Sequence, residues 1–403
     1  MRKQKKHKLN FKKIFCALLL VFLLVLIASN VIKPSSQWSF TKTSNKPESE
    51  QNIEVTPDIT INLAAIGDIM CHGPNFKDAY DSATKTYDFS TFFPQIKSYI
   101  SDADIAIGNL ETTFAGGTRA YSGYPTFNTP PELAEDISEI GIDVLTTSNN
   151  HSLDTGYNGL VNTINELDEL GISHTGTFKS AEDQNKILIK DVKGIKIAFL
   201  SYTYGTNGLS IPKGKEYCIN LIDEDLIKSH LESAKALNPD VICVSMHWGE
   251  EYHLKPNSKQ KELADFLFEN GADIILGSHP HVLQPMEKRS ITMEDGTTKD
   301  GFIIYSLGNF MSNQSDKYTK DSVILNLKIT KHSEGNITID SYDYTPIYMQ
   351  NNGANAQNRY EIIDLKKRIS DYENGDKTVT DSLYKIYKSE LTNVKKALGE
   401  SNT

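Results

Sequence analysis

The chain has 403 residues, 38% of them hydrophobic and 23% charged, which is enough to bury one large core or two smaller ones and argues against disorder. Its formal net charge of −10 disfavours broad binding to nucleic acids or anionic lipids, because the long-range attraction would have the wrong sign. Four cysteines, one of them in an apolar run at position 16, exclude a disulfide scaffold.

The N-terminus combines a basic segment with an apolar one. Residues 2–13 contain seven Lys or Arg and no acid, and residues 14–32 form an uncharged, Leu-rich run about as long as one bilayer crossing. Because basic flanks stay cytoplasmic, we predict a cytoplasmic tail (1–13), a transmembrane signal anchor (14–32) and a polar linker (33–58). The predicted location is the cell membrane, single-pass, with the main domain extracytoplasmic. A cleaved signal peptide is the alternative, although no convincing small-x-small cleavage site follows the apolar run.

Removing the eight basic residues of positions 1–33 from the 42 in the chain leaves 34 against 52 acidic residues, a formal net charge of −18 for the exported part. A polyanion would therefore bind only through local cations.

From residue 59 the sequence alternates short apolar runs with segments of helical period, which predicts α/β architecture. The predicted strands are Ile59–Ile66, Ile105–Gly108, Val144–Thr147, Ile195–Ser201, Val241–Ser245 and Ile274–Gly277. The predicted helices between them include Pro131–Ile140, Gly159–Leu170, Glu224–Leu237 and Ser258–Asn270.

After Gly277 the rhythm changes to hairpin-linked strands, the first pair joined around Asp295-Gly296. Residues 351–359 form a polar break, and Tyr360 to Leu398 is typical of one or two charged amphipathic helices. We therefore predict one domain over 59–350 and a C-terminal helical extension over 351–403.

Two histidines flank a proline where the run Ile274–Gly277 ends. A strand ending there would deliver the imidazoles of His279 and His281 to one spot, and neutral imidazole is the commonest protein metal ligand. Packed or solvent-exposed histidines remain the alternative for this pair alone.

Other strand ends lead into similar polar clusters. In open α/β sheets the carboxyl ends of strands converge on one crevice, so these clusters predict a common site. Each cluster alone is also explained by a turn, a helix cap or a core histidine. Chance is a poor explanation for all of them together, because several independent loops would have to place metal-ligand residues at the same end of one sheet. The clusters are Gly67-Asp68, Gly108-Asn109-Leu110-Glu111, Ser148 to Gly156, His247-Trp248-Gly249 to Tyr252, and Leu307-Gly308-Asn309.

This ordered set, with Gly277-Ser278-His279-Pro280-His281, resembles the CapA/PgsA capsule-synthesis proteins, associated with poly-γ-glutamate and related to the calcineurin-like metallophosphoesterases. The resemblance covers about residues 60–315. It implies a four-layer α/β/β/α sandwich with metals at the strand ends.

The resemblance also implies roles for individual residues. One divalent transition metal (Mn, Fe or Zn) would take Asp68, Glu111 and His281; a second would take Glu111, Asn150, His247 and His279, with Glu111 bridging. His151 would be the proton donor, and Asp154, otherwise a helix cap, is the second catalytic candidate. Asn109 stands where the broader family has Asp, so Glu111 is an inferred bridge.

The substrate-binding candidates are Arg119, in a Gly-rich loop after Glu111, and Asn309. Two functions follow: an exported metal-dependent hydrolase or transferase acting on a phosphoester or poly-γ-glutamate, or a non-catalytic polymer-binding or scaffold subunit of a capsule synthase and export complex. A zinc peptidase ranks low because no His-Glu-x-x-His helix is present.

Overall fold

A computed structural model of the protein describes residues 57–117, 119–292, 296–354, 356 and 358–400. The predicted tail, anchor and all but the last two residues of the linker lie outside the described residues. None of the helices among the described residues has both the length and the apolar character that crossing a bilayer requires.

The strands of the described chain alternate with helices in the first half and follow one another in the second. They are β1 Ile59–Ile69, β2 Tyr80–Asp81, β3 Thr86–Tyr87, β4 Ile105–Leu110, β5 Val144–Thr146, β6 Ser173–Thr175, β7 Leu188–Val192, β8 Ile195–Thr203, β9 Val241–His247, β10 Ile274–Ser278, β11 Leu283–Thr292, β12 Thr298–Leu307, β13 Asn309–Met311, β14 Asp321–Lys331, β15 Ile337–Asn351 and β16 Tyr360–Asp364.

The α-helices are α1 Gly73–Asp78, α2 Lys97–Ser101, α3 Glu132–Glu139, α4 Gly156–Glu169, α5 Ala181–Gln184, α6 Glu224–Ala236, α7 Ser258–Glu269, α8 Leu365–Glu373 and α9 Asp381–Leu398, with 3₁₀ turns at Ser90–Phe92 and Glu216–Cys218.

The strands form two large sheets. The first has the order β16-β15-β14-β1-β4-β5-β6, with β13 pairing beside the end of β1; β1, β4, β5 and β6 are parallel, and β14 to β16 are antiparallel. The second has the order β11-β12-β10-β9-β8-β7, with a parallel centre and antiparallel edges. This confirms the prediction of an antiparallel second half.

Both faces of the central strands are buried, which is why these strands appear in the sequence as unbroken apolar runs. Ile61 and Leu63 of β1 pack between the two sheets with Ile197 and Phe199 of β8. The next residue, Ala64, points to the outer face of its sheet, because successive side chains of a strand alternate.

Helices cover the two outer faces. On the first sheet, Leu133 and Ile137 of α3 join the outer core; on the second, Leu231 of α6 and Leu263 of α7 do so. The predicted α/β/β/α sandwich is confirmed.

The C-terminal segment differs from the prediction in one respect. The prediction of a helix from Tyr360 is wrong for its first five residues, which form β16 and pair with β15. Burial of residues on both faces, Ile362 in the outer core and Ile363 in the central core, holds this segment in a strand. Asp364 and Thr380 then cap the two helices α8 and α9, whose apolar side chains extend the core between the sheets.

Candidate metal centre

Four parallel strands deliver carboxylate and imidazole side chains to one edge of the sandwich. Asp68 lies at the end of β1, next in register to Asn109 of β4, and Glu111 follows β4 directly. On the second sheet, His247 ends β9 opposite Ser278, which precedes His279. Convergence of strand ends, as expected for α/β sheets, therefore builds the cluster from both sheets.

Glu111 is shared by two groups of potential ligands. With Asp68 and His281 it forms one buried group, and with His247 and His279 it forms a second. In the first, His281 Nδ1 lies 3.1 Å from Asp68 Oδ2, and His281 Nε2 lies 3.9 Å from Glu111 Oε1. In the second, His247 Nε2 lies 3.5 Å from the same Glu111 oxygen.

Asn150 completes the second group. Its Oδ1 lies 2.8 Å from His247 Nε2, and its Nδ2 donates to Asn207 Oδ1 at 3.1 Å. The amide is thereby oriented with its oxygen towards the cluster. The structure brings together all six residues that the sequence predicts as metal ligands.

Two buried ligand atoms make no hydrogen bond in the described chain. Glu111 Oε1 and His279 Nδ1 make no hydrogen bond there, although Glu111 is fully buried and His279 is only 4% exposed. A buried unpartnered carboxylate oxygen is costly unless a cation compensates it. Carboxylate, amide and imidazole donors around these two atoms fit a divalent cation.

The electrostatics favour the same conclusion. Burial, together with the charge of Asp68, raises the pKa of Glu111 well above its ordinary value. Burial, reinforced by neighbouring histidines, lowers the pKa of His247 and brings that of His279 to about 3. The two imidazoles are therefore neutral at pH 7 and keep a lone pair available for a cation.

The backbone of the His-Pro-His segment adopts uncommon dihedral angles. His279 has φ 96° and His281 has φ 59°, and positive φ values are uncommon among residues other than glycine. Such strain persists only where surrounding structure imposes it, and it clusters at functional sites. Here it turns two residues separated by a single proline towards the same centre.

At two of these strand ends the backbone of a glycine lies very close to the backbone of a neighbouring segment. A Cβ at Gly67 would lie 1.9 Å from the carbonyl oxygen of Gly308, and one at Gly277 would lie 1.9 Å from that of Tyr305. Gly308 O accepts a hydrogen bond from the Asp68 nitrogen at 2.9 Å, so the glycine at 67 lets this contact position Asp68.

A second polar pair borders the cluster. His151 Nδ1 lies 2.7 Å from Asp154 Oδ2, and the same carboxylate oxygen accepts the backbone N–H of Phe127 at 2.6 Å. The Phe127 ring packs edge-on against His151, with centroids 4.7 Å apart. Asn149 accepts the His151 N–H on its Oδ1, 3.1 Å away, and donates to Leu110 O at 2.7 Å. Asp154 and Phe127 thus hold the imidazole, and Asn149 holds the backbone nitrogen of His151.

Comparison with known proteins agrees with the residues of this site. The profile of the family described as "Bacterial capsule synthesis protein PGA_cap" matches residues 62–314, more than half of the chain. The chain belongs to this family. The resemblance predicted from the strand-end motifs is confirmed.

Two curated capsule proteins are similar along much of their length. The "PGA biosynthesis protein CapA" of Bacillus subtilis (strain 168) is 28% identical over 353 residues, covering 86% of this chain and 85% of that protein. The "Capsule biosynthesis protein CapA" of Bacillus anthracis is 30% identical over 272 residues, covering 66% of this chain and 63% of that protein. The aligned region is thus less than two thirds of the B. anthracis protein.

Solved structures with detectable similarity include the Haemophilus influenzae NAD nucleotidase, with a TM-score of 0.44 at 14% identity over 84% of this chain and 61% of the other. The calcineurin-like phosphoesterase YfkN of Bacillus subtilis gives a TM-score of 0.41 at 17% identity over 72% of this chain and 91% of the other.

The two predicted substrate-binding residues differ in their position relative to the metal centre. Arg119 is exposed in its loop, and its backbone oxygen accepts from Asn128. Asn309 is buried beside Asp68 in register, but its Nδ2 donates to Gln314 Oε1 at 2.7 Å and to Thr319 O at 3.0 Å. Its amide nitrogen therefore donates hydrogen bonds to the 312–320 loop, whereas its Oδ1 makes no hydrogen bond in the described chain.

Two residues at the centre were not predicted as site residues, although one of them, Glu251, lies in the strand-end cluster from His247 to Tyr252. The ring of Tyr204 lies 4.5 Å from that of His279 and is nearly parallel to that of His247 at 6.3 Å. Glu251 forms a third, partly exposed ligand group with His279 and His281. Tyr204 follows the end of β8 and Glu251 follows the end of β9. Their position after a strand end was the feature of the sequence that could have identified them.

Proposed function

We propose that this protein is a membrane-anchored, extracytoplasmic component of capsule polymer synthesis or export, with poly-γ-glutamate as the polymer and a metal-dependent, hydrolase-type site. Family membership and the names of the two Bacillus relatives support the capsule role. The basic segment and apolar run of residues 2–32 support the anchor. The observation that carries the catalytic proposal is the buried Glu111 oxygen, which makes no hydrogen bond in the described chain and belongs to both ligand groups.

The proposed occupants are two divalent transition metal ions, Mn, Fe or Zn. Asp68, Glu111 and His281 would hold one; Glu111, Asn150, His247 and His279 would hold the other. When bound, such ions polarise a phosphoryl or carbonyl oxygen of the substrate as Lewis acids. They also supply local positive charge for an anionic polymer that the acidic surface would otherwise repel.

The chain's own residues supply the remaining chemistry. Asp154 accepts from His151 Nδ1, which fixes the plane of the ring and directs Nε2 away from Asp154. His151 Nε2 is then the atom that carries the proton donated to a leaving group. Phe127 restricts the ring from one side, so that the direction of proton transfer is set before substrate binds.

One observation favours a second candidate, a non-catalytic polymer-binding or scaffold subunit of a capsule synthase and export complex. Asn109 Nδ2 donates to Asp68 Oδ1 at 2.8 Å and approaches Glu111 Oε2 at 3.4 Å. A neutral amide there reduces the negative charge of the centre and occupies carboxylate oxygens, which weakens metal binding relative to an aspartate.

Metal content separates these candidates first. We expect the purified full-length protein to contain about two transition-metal ions per chain by elemental analysis, the number a shared carboxylate implies. The double variant Glu111→Ala/His279→Ala should lose most of this metal. A matched control, His332→Ala/Glu334→Ala, removes a histidine and a glutamate from the β14–β15 hairpin and should keep it.

Absence of bound metal, even after reconstitution with Mn or Zn, would refute the catalytic proposal. If metal is present, His151→Ala separates catalysis from scaffolding. If the His151→Ala variant folds and binds metal, but its cells lose the capsule and it loses activity on phosphoesters or poly-γ-glutamate, the protein is an enzyme. Unchanged capsule supports the scaffold.

A further inference from the structure

Glu251 brings a second carboxylate near both ligand groups of the metal centre, from the loop that follows β9. One of its oxygens and one ring nitrogen each of His279 and His281 lie within 4.8 Å of one another. His281 belongs to the first ligand group of the centre and His279 to the second. Glu251 is therefore close to both groups, a position that it shares with Glu111.

The two glutamates differ in their access to solvent. Glu111 is fully buried, whereas Glu251 is exposed, unlike every other member of the three ligand groups. An exposed carboxylate regains water when it leaves a cation, so its departure costs little, and a buried carboxylate has no such alternative. Catalytic metal sites keep a position open for water or substrate. In this centre the side that faces solvent is the side that Glu251 covers.

Two tyrosines flank Glu251. The ring centroid of Tyr204 lies 4.5 Å from that of His279, and the ring centroid of Tyr252 lies 6.3 Å from that of His281. Burial, and then the charge of Glu251, raises the pKa of each tyrosine to about 12. Both hydroxyls are therefore protonated at pH 7. The carboxylate lies between two neutral aromatic side chains, so an anion that approaches the histidines meets its negative charge.

The preceding residue, Glu250, is arranged differently. Its Oε2 lies 3.7 Å from His253 Nε2, and its Oε1 accepts from Asn257 Nδ2 at 3.3 Å. It belongs to none of the ligand groups found in the described chain. Two consecutive exposed glutamates thus carry the same charge, but only Glu251 lies against the centre.

We propose that Glu251 covers the solvent-facing side of the metal centre and is displaced by an anionic oxygen group of the substrate, a phosphate or a carboxylate. This inference rests on the proposed function, because it is a bound cation that Glu251 would cover. A substrate anion that takes this position must bind more tightly than the carboxylate that it replaces. Glu251 thereby excludes weakly binding anions, which makes it a specificity-determining residue of the centre.

The test is calorimetric titration of the full-length protein, reconstituted with Mn, with inorganic phosphate and separately with the dipeptide γ-glutamylglutamate. Glu251→Gln keeps the shape of the side chain, but a neutral amide is a weaker ligand for a cation, so a probe has less to displace. We expect the Kd for at least one probe to fall about tenfold. The probe that gains affinity identifies the displacing group as a phosphate or a carboxylate.

Glu250→Gln is the matched control, because it removes the same charge one residue away. It should leave both Kd values within about twofold of those of the wild type. Unchanged or weaker binding of both probes by Glu251→Gln would overturn the inference, and so would an equal gain in Glu250→Gln.

Elemental analysis of the same samples distinguishes this inference from the proposed function. Metal should be retained in both variants, since Glu111 and the histidines remain. Metal-loaded proteins with equal Kd values would refute only the role of Glu251. Absence of metal from the wild type and both variants would refute the proposed function and this inference with it.

Discussion

The Nδ1 atom of His151 lies 2.7 Å from Oδ2 of Asp154, and both side chains are almost completely buried. Asp154→Ala would leave this imidazole N–H and the Phe127 backbone N–H without their acceptor. Each buried unpartnered donor destabilises a protein by about 1–3 kcal/mol, so we expect the free energy of unfolding in urea to fall by at least that amount.

A second His–Asp pair provides the control. His174 Nε2 lies 3.1 Å from Asp168, whose side chain is 49% exposed. Asp168→Ala should change the unfolding free energy by about 0.5 kcal/mol or less, because water replaces the lost partner. Equal losses in Asp154→Ala and Asp168→Ala would contradict the structural role assigned to Asp154.

Because Glu111 belongs to two of the ligand groups, we predict that its substitution removes the stabilisation of the folded state by added metal. A ligand that binds only the folded state at 100 times its Kd stabilises that state by about 2.7 kcal/mol. Mn or Zn at that excess should therefore raise the thermal midpoint of the wild type, and Glu111→Gln should abolish the increase. Glu251→Gln, at an exposed member of the third ligand group, should retain most of it. An equal increase in all three proteins would argue against Glu111 as the shared ligand.

The contact between Gly67 and Gly308 predicts that a glycine-to-alanine substitution lowers the free energy of unfolding at position 67 but not at position 73. Gly67→Ala places a Cβ 1.9 Å from a backbone oxygen, which must move, so we expect a loss of about 1–3 kcal/mol and a lower metal content as Asp68 shifts. At Gly73 the added Cβ has no heavy atom within 4 Å. Gly73→Ala should be neutral or slightly stabilising. If both variants unfold at the same urea concentration, the close approach does not control the site.

The buried Asp321 predicts a characteristic pH dependence. Because its folded pKa of about 9 exceeds the ordinary value of 3.8, the folded state holds a proton between these values that the unfolded state lacks. The contribution of Asp321 to stability is therefore fully present below about pH 4 and is lost as the pH rises to 9. The charged and titratable groups around it are Glu390 and Lys396 on α9, Lys255 and Tyr318 in the loops, and Tyr348 on β15.

Urea denaturation between pH 5 and 9 measures this effect. Asp321→Asn should flatten the decline in unfolding free energy towards high pH, whereas Asp316→Asn, at an exposed site in the preceding loop, should leave it in place. A wild-type protein whose stability is constant or increases over this range would contradict a buried, protonated Asp321.

Much of the fold follows from periodicity in the sequence. The runs at Ile105, Val241 and Ile274 are strands because both of their faces are buried, and this produces a continuous apolar signal. The candidate ligands could be located because each lies at the end of such a run or within a few residues after it. Tyr360–Asp364 was harder, since a five-residue strand next to a helical segment has no distinct period, and only pairing with β15 selects the extended form.

The remaining site features depend on tertiary contacts. The ring of Tyr204 reaches His279 only because β8 and β10 flank β9 in the second sheet. The direction of the Asn309 amide depends on the loop that folds back onto it. The end of β8 marks Tyr204 as a candidate, but no local pattern shows which rings it contacts, because these contacts join residues far apart in the chain.

The position of β14 has a consequence for how the protein can be divided. The region that matches the family profile ends at residue 314, before β14 begins, yet β14 lies between β1 and β15 and forms hydrogen bonds with both. Excising residues 62–314 would expose the backbone groups of β1 along one side, and unpaired strand edges of this kind promote aggregation. The stretch of sequence that defines the family is therefore smaller than the unit that must fold to present Asp68 to its partners.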